Sequence, residues 1–298
     1  MKFVTVSYKE RVLIGMLIDN RIVDICKAEE KLFHTSSIPC SMIELVEHYD
    51  EISEKLAAIH MWGQEAPKGE AVYSVEEIKW LAPIPRPRKN IFCVGKNYAD
   101  HAIEMGSAAD IPAHLMLFSK APTSVTGHEE DVLAHQQVTT ELDYEGELAV
   151  IIGKTCKNIK EEEAMDHVFG YTLINDVTAR DLQERHKQFL LGKSLDTSCP
   201  MGPAIVHQSA IENPGSLQIE TRVNGEVRQK ENTEQFIFGV ANIIATIAKG
   251  TTLEPGDIIA TGTPAGVGKG FNPPRFLKPG DIMEVTIEEI GTLRNTVK

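Results

Sequence analysis

The sequence predicts a mainly β, α+β protein: a smaller N-terminal α+β domain (residues 1–80) followed by a larger β-rich one (91–298). Three observations predict it. Short β-branched runs, punctuated by Gly and Pro, recur from residue 91 to the end without regular strand–helix alternation, which disfavours a doubly wound sheet. The long helical pattern of the first third lies before residue 65. Between them "LAPIPRPRKN" (81–90) carries Pro83, Pro85 and Pro87, and proline's fixed φ and missing donor make this a stiff connector.

At the N-terminus, "RVLIGMLIDNRIVDI" holds two β-branched runs around Asp19-Asn20-Arg21, a hairpin pattern. From Ser41 to Gln64 the periodicity is helical, with Ser41 as N-cap and Glu44 three residues on. "PGDI" occurs at 255–258 and 279–282, each time before a strand-like run, and reads as a paired turn-strand unit.

In "ELDYEGELAVII" (141–152), strand alternation places Glu141, Asp143, Glu145 and Glu147 on one face, which turns apolar at Ala149 and Ile151. Such a row is either a solvated face or an acidic site running into the interior. In "YTLINDVTARDLQERH" (171–186) a β-like run ends at Asn175-Asp176. If Asp176 opens the following helix, Arg180 and Gln183 share its face; a plain capping aspartate is the alternative. In "NYADHAIEMG" (97–106), His101 and Glu104 are adjacent on a helix, either as an oriented base or as a solvated pair. Two strand carboxylates plus a third at a strand–helix junction would make an all-oxygen site suited to Mg²⁺ or Mn²⁺ rather than zinc.

Other chemistries fit poorly. "TGTPAGVGKG" (261–270) has Thr263 where a phosphate loop needs its first Gly, and Gly270 where it needs Ser or Thr. Ser194 and Ser198 in "KSLDTSCPMGP" lie in no nucleophile elbow. A net charge of −13 argues against nucleic acid, and no apolar run approaches the roughly 20 residues of a membrane span. The N-terminus lacks a secretory signal pattern. Five scattered cysteines disfavour a disulfide framework, so a cytoplasmic location is expected.

"CVGKNYADHAIEMG", "LDYEGELAVIIGK", "GYTLINDVTARDLQ", "GKSLDTSCPMGP" and "LEPGDIIATGTPAGVG" follow the order seen in the fumarylacetoacetate hydrolase family, which residues 80–298 resemble. The N-terminal part is similar to that of extended bacterial members, some of which are oxaloacetate decarboxylases. The resemblance implies a mixed β-sandwich roll, a Mg²⁺ or Mn²⁺ ion, a 2-oxo acid or β-dicarbonyl substrate and a homodimer. It assigns Glu145, Glu147 and Asp176 to the metal, and His101, Glu104 and Lys193 to catalysis. Arg180, Gln183, Lys120 and Thr263 fall on substrate-binding positions. Asp100 is a possible fourth ligand, and Lys96 stands where many members have an uncharged residue.

The expected reaction is oxaloacetate decarboxylation through a metal-stabilised enolate. The alternatives are acylpyruvate or fumarylacetoacetate-type hydrolysis, and a non-catalytic binding role on the same fold. Residues 97–114 are expected to form a lid, while Glu141 and Asp143 are expected to be solvated or locally hydrogen-bonded.

Overall fold

A computed structural model describes residues 1–69 and 71–298. The chain opens with antiparallel strands β1 (Lys2–Tyr8), β2 (Arg11–Ile18) and β3 (Arg21–Asp24), the last two joined by the Asp19-Asn20 turn. Helices α1 (Ile25–Phe33), α2 (Met42–Glu47) and α3 (Tyr49–Glu65) follow, then β4 (Val72–Ser74) and β5 (Lys79–Trp80). The helix expected over 41–64 is therefore two helices. The chain leaves the α region at His48 (φ −104°, ψ 13°), and Ser41 takes the N-cap position without a side-chain capping bond.

Beyond the proline segment come β6 (Ile91–Gly95), α4 (Ala99–Glu104), β7 (Met116–Lys120), β8 (Val125–Thr126) and β9 (Asp131–Val132). Next are β10 (Leu142–Asp143), β11 (Gly146–Ile152), β12 (Val168–Asn175), β13 (Thr178–Ala179), α5 (Arg180–His186), α6 (Leu190–Lys193) and β14 (Cys199–His207). The chain closes with β15 (Gln218–Val223), β16 (Glu226–Asn232), α7 (Val240–Ala248), β17 (Ile258–Ala260), β18 (Ile282–Ile287) and β19 (Gly291–Val297).

A large mixed sheet runs β4-β3-β2-β1-β14-β12-β11-β17-β6-β7, so the N-terminal strands continue it through β1 and β14. A second sheet, β16-β15-β18-β19-β9, packs against it. The pleat of β11 divides the core between two layers. Leu148 and Val150 join Ile219, Val285 and the α7 isoleucines on one face; Ala149 and Ile151 join Met201, Ile205 and the N-terminal helices on the other.

Cys26 and Cys40 are disulfide-bonded, with Cα atoms 6.4 Å apart. An odd, scattered set argues against a disulfide framework, and this single clasp across the turn between α1 and α2 does not make one. Cys93, Cys156 and Cys199 are free and buried.

Gly146 sits where the two sheets approach closely. A Cβ there would lie 2.1 Å from Thr221 Oγ1 on β15 and 3.0 Å from Val285 on β18. Gly146→Ala is expected to lower stability by about 1–3 kcal/mol through overpacking. Urea unfolding of the variant checks this, and an unchanged midpoint would remove the close-approach explanation.

Candidate metal and catalytic site

The "ELDYEGELAVII" segment is not one strand. β10 ends at Asp143 and pairs with β13, β11 begins at Gly146, and Tyr144-Glu145 breaks the alternation between them. The β11–β12 register pairs Gly146 with Asn175. At that end Asn175 Oδ1 accepts the Glu145 N–H (3.0 Å), and the Asp176 N–H donates to the Glu145 carbonyl (2.8 Å). Strand pairing thus forces Glu145 and Asp176 together, with Glu147 two residues along. Their carboxylates offer one oxygen each within 4.8 Å of one another, all buried, the one such group among the described residues.

Three cations oppose these acids. Lys193 Nζ lies 2.7 Å from both Glu145 Oε2 and Asp176 Oδ2, and 4.7 Å from the centre of the Phe118 ring. Lys120 Nζ is 2.7 Å from Asp176 Oδ1 and also donates to the Val177 carbonyl. Arg180 Nη1 is 2.7 Å from Glu145 Oε1, and Nε is 2.9 Å from Asp143 Oδ2. Burial alone would raise the Glu145 carboxyl, but Lys193 and Arg180 hold it well below the usual range. Glu147 goes the other way: burial, then the Asp176 and Glu145 charges, push it well above that range. Its Oε2 accepts only the Gly262 N–H (2.7 Å). A buried carboxylate beside two others, without an ion-pair partner of its own, fits a site completed by a hard divalent ion.

The structure relocates three sequence expectations. Asp143 is fully buried rather than part of a wet strand end, because the break at Tyr144-Glu145 turns it inward; besides the Tyr144 N–H, its partners are Arg180, Gly268 and Lys269, distant in sequence rather than local. Helix α5 starts at Arg180, not Asp176, since β13 intervenes; Arg180 Nη1 nevertheless reaches Gln183 Oε1 at 3.2 Å. Asp100 is exposed on α4 and lies outside the acidic group.

The glycine-rich segment 262–270 spends its amides on protein carboxylates. Gly262 N–H donates to Glu147, Gly266 N–H to Glu104 (2.9 Å), and the Gly268 and Lys269 N–H groups to Asp143 (2.6 and 3.0 Å). A Cβ on Gly270 would lie 2.1 Å from Glu104 Oε1. This loop therefore braces the site rather than cradling a phosphate. Glu104 also meets His101 Nδ1 (3.3 Å), whose ring is buried at the cavity wall. Thr263 Oγ1 donates to the Gly146 carbonyl (3.0 Å) and accepts from Gln229.

These groups line a cavity of about 200 Å³ walled by Met105, Met116, Phe118 and Phe189, with His101, Glu145, Glu147, Arg180, Gln183, Lys193 and Thr263 facing it. Lys120 and Asp176 lie just behind, joined to each other. Arg180 Nη2 is buried without a hydrogen-bond partner. Sequence reasoning missed the Asp143–Arg180 pair, whose signal was Asp143's shared parity with Glu145. Nothing in the sequence marked Phe118.

Residues 90–298 match the family model described as fumarylacetoacetate (FAA) hydrolase C-terminal. Over 300 residues, covering 100% of both chains, the sequence is 55% identical to the oxaloacetate tautomerase YisK of Bacillus subtilis. Among solved structures, it is similar to a fumarylacetoacetate hydrolase from Exiguobacterium antarcticum (TM-score 0.82, 42% identity, 100% of this chain and 99% of that one). It is also similar to a maleylpyruvate hydrolase from Sphingobium sp. SYK-6 (TM-score 0.78, 28% identity, 100% and 99%).

Asp143→Ala is expected to cost about 3–5 kcal/mol, because it leaves Arg180 partly uncompensated in the interior. Glu141→Ala, at a half-buried position, should change stability by no more than about 0.5 kcal/mol. Parallel denaturant titrations check the contrast; equal losses would mean that Asp143 has no special part in holding the site.

Proposed function

The chain belongs to the fumarylacetoacetate hydrolase family, and we propose that it interconverts the keto and enol forms of oxaloacetate or a closely similar 2-oxo dicarboxylate. The observation that carries this reading is a cluster of three buried carboxylates, two of them lining one small cavity with Lys193 and with Arg180, whose Nη2 has no hydrogen-bond partner. A volume of about 200 Å³ suits a compact substrate. The whole-length likeness to an oxaloacetate tautomerase favours stopping at the enol. Decarboxylation, the reaction expected from sequence, would pass through the same enolate with loss of CO₂.

Glu145, Glu147 and Asp176 would hold Mg²⁺ or Mn²⁺, which when bound supplies Lewis-acid polarisation of the 2-oxo group. Arg180 binds a substrate carboxylate through Nη2, with Asp143 and Glu145 fixing its orientation. Gln183 and Thr263 shape the floor around it, and Lys120 holds Asp176 in place. Glu104 fixes His101 through Nδ1, leaving Nε2 to remove the C3 proton. Lys193 donates a proton to the C2 oxygen, stabilising the charge that develops there, and regains one by relay from His101. One C–H bond breaks and one O–H bond forms, so the reaction is a balanced isomerisation.

Residues 97–114 would act as a lid, pivoting beyond Asn97, which is tied to Phe238 and Thr261. A homodimer would cover Leu117 on the free edge strand β7 and Leu190 and Leu191 on neighbouring α6, all exposed in the single chain. No helix among the described residues is long and apolar enough to cross a membrane.

The test is oxaloacetate keto–enol equilibration, followed by absorbance beside CO₂ and pyruvate release, with Mg²⁺, with Mn²⁺ and with chelator. The reading expects metal-dependent equilibration faster than CO₂ release. Equilibration unchanged by chelator would refute the metal role, and CO₂ release outpacing it would make the enzyme a decarboxylase. Lys193→Met should lower turnover by about 10²-fold or more. It should also tighten Mn²⁺ binding by roughly tenfold, because it removes a cation shared by two of the three carboxylates. A calorimetric Mn²⁺ titration showing weaker binding in this variant would contradict that arrangement.

A further inference from the structure

Four cationic side chains, Lys96, Arg180, Lys193 and Lys269, line the cavity together with three carboxylates, Glu145, Glu147 and Glu184. At the floor, Arg180 and Lys193 are engaged by Asp143, Glu145 and Asp176. The side chains of Lys96 and Lys269 take no part in that network, although the Lys269 backbone N–H donates to Asp143. Lys96 follows β6, and its Nζ lies 3.4 Å from Asp110 Oδ1, a carboxylate whose side chain is 44% exposed. A pair of that length with a solvated partner is weak and leaves ammonium hydrogens free. Lys269 pairs with Glu184, which is also exposed. The two lysine side chains are themselves only 25% and 28% exposed, so both lie largely against the protein.

The backbone at Lys96 gives a second, independent observation. Its φ is +54°, in the left-handed region that a non-glycine residue enters at a cost. Glycine or asparagine would be easier there, yet the chain holds a lysine at the cavity wall. The end of a small substrate that lies away from the floor meets a wall that includes Met105 and Met116, the latter paired with Gly95 beside Lys96. A negative charge at that end needs a cation. Among the described residues, Lys96 and Lys269 are the cavity-lining cations that the floor does not use.

We propose that Lys96 and Lys269 form an anion-binding pole that takes the distal carboxylate of a 2-oxo dicarboxylate and sets the preference for doubly over singly charged 2-oxo acids. The assignment rests on the reading of the floor as the seat of the 2-oxo carboxylate end. Lysine suits this role, being a compact point charge on a flexible stem that adapts to a moving terminal carboxylate.

The test is equilibrium binding to the Mn²⁺-loaded full chain. The probes are 3,3-difluorooxaloacetate, a dianion, and 3,3-difluoro-2-oxobutanoate, a monoanion; neither has a C3 hydrogen to lose. Wild-type protein should prefer the dianion by at least about tenfold. Lys96→Asn, which tolerates the left-handed backbone, should weaken dianion binding by roughly tenfold and leave the monoanion within about twofold. Lys96→Arg should keep the preference, and Lys96→Asn combined with Lys269→Gln should abolish it. Thermal melting shows whether each variant is folded, and Lys96→Gly replaces the asparagine variant if that one is not. Equal weakening of both probes, or none, overturns the pole. If neither probe binds the wild type, the reading of the floor falls and the pole with it. Selective binding in an enzyme that does not equilibrate oxaloacetate overturns the proposed reaction and leaves the pole standing.

Discussion

The site depends on repulsion among three buried carboxylates. Glu145, Glu147 and Asp176 are brought within a few ångströms by the β11–β12 register, and neither burial nor proximity favours their charged forms. The chain offsets this unevenly. Lys193 and Arg180 hold Glu145 charged, Asp176 has ion pairs with Lys120 and Lys193, and Glu147 has one backbone N–H. That unevenness leaves one place where a further positive charge is most strongly favoured.

The surroundings are arranged to keep those groups in place. Carboxylates reach from the site into the 262–270 loop: Glu147 to Gly262, Glu104 to Gly266, and Asp143 to Gly268 and Lys269. Two of these acids also hold functional groups, Glu104 the His101 ring and Asp143 the Arg180 guanidinium. Loop and cavity are therefore one hydrogen-bonded unit, and a displacement of the loop would shift the candidate base and the candidate carboxylate binder together. Closeness of the two sheets at Gly146 holds the start of the strand that bears Glu147 and directly follows Glu145.

Much of the site was legible because its residues stand on regular elements. The parity of Glu145 and Glu147 with Ala149 and Ile151 pointed the acids inward, and the end of the β-like run at Asp176 marked a junction. The His101–Glu104 spacing gave a helical pair, which the structure bears out. What could not be read came from local breaks and long-range contacts. The interruption at Tyr144-Glu145 buries Asp143, and no alternation pattern reports a two-residue gap. The insertion of β13 moves the start of α5, and the 14-residue separation of Cys26 and Cys40 hides a contact set by the α1–α2 turn. The fold class was visible in the distribution of short strands, whereas the N-terminal strands' continuation of the large sheet depends on β1 pairing with the distant β14.

The central claim is that Glu145, Glu147 and Asp176 form one divalent-cation site that burial leaves short of positive charge at Glu147. Electron paramagnetic resonance of Mn²⁺ titrated into the wild-type chain and into Glu147→Gln tests it most directly. The account predicts one bound ion per wild-type chain and a large loss of affinity in the variant, whose fold should be retained because glutamine matches the uncharged carboxyl that burial and the neighbouring acids favour there. Undiminished Mn²⁺ binding by Glu147→Gln, or none by the wild type, would contradict it.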